Sequence, residues 1–151
     1  MDSFDTIVIS GASVKGLTLL GALQYCADTF LLTHVKTFIG TSCGAMICFL
    51  LAIGYSPIEI ITYICSKQLL EKMQGFDIVS MIHGSGAISY NPIQEHIEKM
   101  SILKIGYLPT LGEIKTKLGS TLVCTTYNLT RGCVEYISSD NNPELPAITA
   151  I

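Results

Sequence analysis

The chain has 151 residues, 49% of them hydrophobic and only 14% charged, and a net charge of −3. That balance excludes a disordered segment, and the lack of any lysine or arginine cluster argues against nucleic acid as a partner. It fits one domain, residues 1–151, with an α/β sheet covered on both faces, or a piece whose apolar surface is completed by chain outside it.

Cysteine usage and the termini add further bounds. The six cysteines, Cys26, Cys43, Cys48, Cys65, Cys124 and Cys133, form no C-x-x-C pair. They read as buried thiols of a reducing compartment, not as a disulfide framework or a zinc site. The most apolar run, Ala45 to Ile53, falls far short of the roughly 20 residues that span a bilayer. The acidic start, Met1-Asp2-Ser3-Phe4-Asp5, leads straight into a strand and is not a signal peptide, so the expected location is cytoplasmic, at most peripheral to membranes. Without a signal, the sequon Asn128-Leu129-Thr130 carries little weight.

In chain order, Thr6-Ile7-Val8-Ile9-Ser10 predicts a short buried parallel strand. Gly11-Ala12-Ser13-Val14-Lys15-Gly16 follows as a loop of small residues. Leu17, Leu20, Leu23 and Ala27 then recur at helical spacing, which predicts a helix to about Asp28. Val35 to Ile39 reads as the second strand. The helix from Cys43 to about Ala52 is apolar all round and should be buried on all sides, with Gly54 ending it as a left-handed cap. Ser56-Pro57-Ile58-Glu59 opens the next helix with a capping box, expected to run to about Met73.

Residues 74–90 have no clear periodicity. Their apolar patch Ile78 to Ile82 reads as core in preference to a lipid-facing lid. Asn91-Pro92-Ile93-Gln94 starts another helix with Ile93, Ile97 and Met100 on one face, and His96 on its polar face should be solvated. Thr110-Leu111-Gly112-Glu113 starts a short helix stopping at Gly119. Thr121 to Tyr127 and Cys133 to Ile137 predict a hairpin across Thr130-Arg131-Gly132, and a last helix begins after Pro146. The alternation of strand and helix argues for a parallel α/β sheet.

The chemistry concentrates in two loops. Gly40-Thr41-Ser42-Cys43-Gly44 is a G-x-S-x-G between a strand-like run and a long apolar run, the setting of a nucleophile elbow. Ser42 there would face the amide groups and positive dipole of a helix start. An acyl-transfer serine also needs an oxyanion hole. The Cys43 N–H and the loop from Gly11 to Gly16 suit that role. A phosphate-binding loop fits less well. Gly16 is followed by Leu17-Thr18 and not by the lysine of a Walker loop, and the position two after Gly11 is Ser13 and not the glycine of a dinucleotide fingerprint. Cys43 reads as a small buried residue in preference to a reactive thiol. His34, His83 and His96 are the candidates for a serine–histidine pair, against readings of His34 as capping a strand start, His83 as part of the stretch 74–90 and His96 as solvated.

Together, the two loops resemble the patatin-like phospholipase family. Ser10-Gly11-Ala12-Ser13-Val14-Lys15-Gly16 is similar to the family's S-G-G-G-x-[K/R]-G, and Gly40 to Gly44 to its G-x-S-x-G, about 25–30 residues later in the same strand–loop–helix setting. The resemblance implies a three-layer α/β fold with a mainly parallel central sheet, C-terminally incomplete here. It implies a lipid acyl hydrolase with Ser42 as nucleophile, an oxyanion hole at Gly11, Ala12, Ser13 and Cys43, elbow glycines Gly40 and Gly44, and a headgroup or loop contact at Lys15.

The implied substrate is a phospholipid or other lipid ester, met at a membrane surface, and the implied chemistry needs no metal and no cofactor. Two departures stand out. Ala12 and Ser13 replace two family glycines, and the Asp-Gly motif that carries the family's general base does not occur in these residues. The chain is therefore expected to stop before its base. A D-G-G or D-G-A within about 60 further residues, another strand–helix–strand unit, would complete it. The alternative is an inactive domain that binds lipid or protein. An incomplete sheet would also leave an exposed edge and favour self-association.

Overall fold

The computed structural model of the chain describes residues 4–12, 15–66 and 91–151. Three strands run in parallel and a fourth returns. β1 (Thr6–Ile9) leads to α1 (Gly16–Asp28) and β2 (Thr37–Gly40), followed by α2 (Cys43–Ala52) and α3 (Pro57–Ser66). From residue 91 onward come α4 (Asn91–Ile105), α5 (Leu111–Leu118), β3 (Thr121–Asn128), β4 (Cys133–Ser138) and α6 (Ala147–Ala150). The sheet order is β1-β2-β3-β4, with β1–β2 and β2–β3 parallel and β3–β4 antiparallel. In register, Ile9, Gly40 and Cys124 lie side by side. The expected α/β class with a mainly parallel sheet is what the chain forms.

The core follows from the strand period of two. Ile9, Phe38, Leu122 and Cys124 are buried and share the face on which α2 packs. Seven of the ten residues of α2 are buried, as its all-round apolarity requires. Val8, Tyr127, Val134 and Tyr136 belong to the opposite face by register and stay exposed, Val8 by 73%. Among the described residues, then, one face of the sheet carries the core. β1 is accordingly not the buried strand expected from its β-branched run. Among the described residues it is an edge, paired with β2 alone.

Punctuation in the sequence sets most of the boundaries. Thr110 and Glu113 form a reciprocal capping box at α5, whose end is the left-handed Gly119. Gly54, at φ +98°, takes the turn out of α2, and Gly132, at φ +65°, takes the hairpin turn. β2 begins at Thr37, later than expected, because the Val35 N–H is drawn into a turn by the Leu32 carbonyl. The outer part of the expected helix to Met73 and the patch from Ile78 to Ile82 lie outside the described residues, as does His83.

Two surface expectations also change. His96 is half-buried, 3.2 Å from the Tyr63 hydroxyl and edge-on to its ring, so it ties α4 to α3 instead of facing solvent. All six cysteines are free. Cys48 and Cys124 are buried, whereas Cys65 and Cys133 are exposed, Cys133 because it opens the edge strand β4.

The start of α3 has a pH signature. Glu59 accepts the Ser56 N–H at 2.7 Å, and Lys104 on α4 donates to it at 2.9 Å. The Ser56 backbone bond first, then Lys104, holds its carboxyl down from the ordinary 4.5 to about 2. A depressed folded-state value stabilises the fold above pH 4.5 and loses that contribution as pH falls toward 2. The effect is modest, since the Glu59 side chain is 46% exposed and water screens the pair. Glu59→Gln should therefore flatten the acid limb of a stability–pH curve while leaving the slope above pH 5 unchanged, as read by urea midpoints.

Candidate active site

Ser42 stands at the C-terminal end of β2, where the chain turns into α2. Its backbone has φ 54° and ψ −129°, a left-handed-side conformation that side chains other than glycine rarely adopt. Both motif glycines are dictated by this turn. A Cβ on Gly40 would sit 2.5 Å from the Ala45 nitrogen. On Gly44 it would sit 2.6 Å from the Ser10 carbonyl oxygen and closer still to that of Ile9. The Thr41 N–H donates to the Ile9 carbonyl at 3.1 Å, which pins the turn to the end of β1.

Strain alone makes no site; what matters is which groups it leaves available. Ser42 is exposed and its hydroxyl does not cap α2. In the first turn, the Gly44 N–H goes to Thr41, while those of Ala45 and Met46 both go to the Ser42 carbonyl. Among the described residues no backbone hydrogen bond takes the Cys43 N–H. The same holds for the N–H groups of Gly11 and Ala12. Gly11 lies directly beside the serine, its Cβ position 3.6 Å from the Ser42 Cβ. The structure thus brings Gly11, Ser42 and Cys43 together, with amide groups unspent at a helix N-terminus.

The remaining predicted residues divide. Ser13 lies outside the described residues. Lys15 is exposed and stands at the start of α1, where its own N–H donates to the Ala12 carbonyl at 3.0 Å. Among the described residues its ammonium makes no hydrogen bond or ion pair. Burial raises the Cys43 thiol above its ordinary value of 9.0, which leaves it protonated near neutral pH. No three His, Cys, Asp or Glu among the described residues come together as metal ligands. A cavity of about 500 Å³, lined by Ile7, Val35, Phe38, Leu51, Ile53 and Leu118 among others, opens at the opposite end of the strands from Ser42.

One contact was not legible in the sequence. A Cβ on Gly16, the first residue of α1, would lie 2.7 Å from the Cys43 sulfur, so the starts of α1 and α2 touch there.

The described residues thus combine a mainly parallel α/β sheet with a strained serine between strand and helix, beside a glycine-bearing loop from the neighbouring strand. The patatin-like phospholipase model matches residues 7–147, and the chain belongs to that family, one of lipid hydrolases. It is 29% identical over 154 residues to "Probable lipid hydrolase 463L" of Invertebrate iridescent virus 6, covering 98% of this chain and 51% of that protein. The chain thus spans about half the length of this curated relative. Among solved structures it is similar to full-length ExoU of the Pseudomonas aeruginosa type III secretion system, in complex with SpcU, with TM-score 0.70, 15% identity and coverage of 97% of this chain and 37% of that one. VipD from Legionella pneumophila matches with TM-score 0.58 and 16% identity, over 99% and 42% of the respective chains. At these identities the structural likeness establishes the fold.

Proposed function

We propose that the protein hydrolyses lipid esters, phospholipids among them, with Ser42 as the nucleophile. The observation that carries this reading is the Ser42 backbone at φ 54° and ψ −129°, with the hydroxyl exposed beside Gly11. Ser42 Oγ attacks the ester carbonyl as its proton passes to a base. The oxyanion is held by the Cys43 N–H and by those of Gly11 and Ala12, with Ser13 completing the loop. Collapse expels the alcohol portion of the lipid, and water then releases the fatty acid from the acyl-serine. The base in this reading is an aspartate of an Asp-Gly motif, and these 151 residues contain no Asp-Gly pair.

The test is fatty-acid release from phosphatidylcholine vesicles by the full-length protein. Release that disappears in Ser42→Ala is the expected result; release unaffected by that change would overturn the assignment. The replacement of two family glycines by Ala12 and Ser13, which narrows the backbone conformations of the loop, favours a second reading, a non-catalytic module that binds lipid or protein. Vesicle binding with no fatty acid released would select it.

A further inference from the structure

We propose that the Cys43 side chain is a positioning element for the acyl-transfer site, a spacer that sets how close the loop after β1 stands to Ser42. This rests on the reading of Ser42 as nucleophile. The two loops of the site come from different strands, and nothing in either sequence motif fixes the distance between them. The structure supplies two ties. One is backbone, the Thr41 N–H on the Ile9 carbonyl, and it holds the strand ends together. The other lies at the helix ends, where the sulfur of Cys43 occupies the space that a side chain at Gly16 would fill, 2.7 Å from its Cβ position.

That second tie acts on the right groups. Gly16 begins α1, and the loop that precedes it includes Gly11 and Ala12. Cys43 begins α2, directly after Ser42. The spacer therefore spans the two halves of the oxyanion hole, with Ser42 on one side and the loop amides on the other. Ile47, one turn further along α2, lies 3.4 Å from the same Cβ position, so a side chain at Gly16 would meet α2 at two places. Displacing a group by about 1 Å in an acyl-transfer site costs up to 10²-fold in rate. A methyl group forced into this contact stands 2.7 Å from the sulfur, closer than side chains pack, so either the sulfur turns away or the start of α1 moves.

The experiment is a double-substitution cycle in the full-length protein, read as the rate of covalent labelling of Ser42 by a fluorophosphonate well below each variant's melting temperature. Gly16→Ala in the presence of Cys43 should slow labelling by roughly tenfold or more. In a Cys43→Ala background, the same Gly16→Ala change should cost less than about twofold, because the sulfur it collides with is gone. A general packing defect would slow both backgrounds alike, so equal costs would overturn the proposal. Should Gly16→Ala fail to fold, Cys43→Val presses on the same contact from the other side. A folded Cys43→Val protein labelled at the unsubstituted rate would equally overturn it. No labelling of the unsubstituted protein would defeat the functional reading and this inference with it, whereas labelling without background dependence defeats this inference alone.

Discussion

Ser42→Gly should yield a protein at least as stable as the original and unable to turn over lipid. The backbone at φ 54° and ψ −129° is costly for any residue with a Cβ, by about 1–3 kcal/mol, and is freely open to glycine. Glycine adds back about 0.5–1 kcal/mol of unfolded-state entropy. The Ser42 hydroxyl contributes no cap to α2 that would be lost. The net effect on stability therefore lies between zero and about 2.5 kcal/mol in favour of the variant. Hydrolysis should fall by at least about 10³-fold, since in the proposed mechanism Ser42 carries the acyl intermediate. Urea midpoints and fatty-acid release measured on the same preparation check both halves. A variant destabilised by more than about 1 kcal/mol would show that the strained backbone is not a cost in this fold.

Gly44→Ala should do the reverse, removing stability through a single methyl group. Its Cβ would meet the Ile9 and Ser10 carbonyl oxygens and, at 2.8 Å, the Ile9 side chain. Two of those three neighbours are backbone and cannot swing aside. The helix must back away from the end of β1, which strains the Thr41–Ile9 hydrogen bond and opens the core beneath α2. Overpacking of this kind costs about 3 kcal/mol. Gly11→Ala is the control. Its nearest neighbours would be 3.6 and 3.7 Å away, ordinary contact distances, so the fold should lose less than about 1 kcal/mol. If the two alanine variants melted together, the packing described for the elbow would be wrong.

The elbow was readable in the sequence because its constraints are local. A tight strand-to-helix turn needs small residues at Gly40 and Gly44, and an apolar run such as Cys43 to Ala52 has one stable place, under the sheet. Helix starts were readable for the same reason, since Ser56 with Glu59 and Thr110 with Glu113 satisfy backbone groups only a few residues away. Properties set by distant chain were not. Thr6 to Ile9 has the composition of a covered strand, and only the sheet order shows that it is an edge among the described residues. Nothing near His96 in sequence points to Tyr63, 33 residues away. The Gly16–Cys43 contact joins residues on different helices, and no local pattern encodes it. Likewise, the glycine-bearing loop after β1 stood out in the sequence, but its place against Ser42 came only with the parallel pairing of β1 and β2.

The most direct test of Ser42 as an activated nucleophile is fluorophosphonate treatment of the full-length protein beside its Ser42→Ala variant, with the adduct located by mass spectrometry. One adduct on Ser42, missing from the variant, is the predicted result. A folded protein that takes no label, or takes it equally in the variant, would contradict the assignment of this turn as an acyl-transfer site.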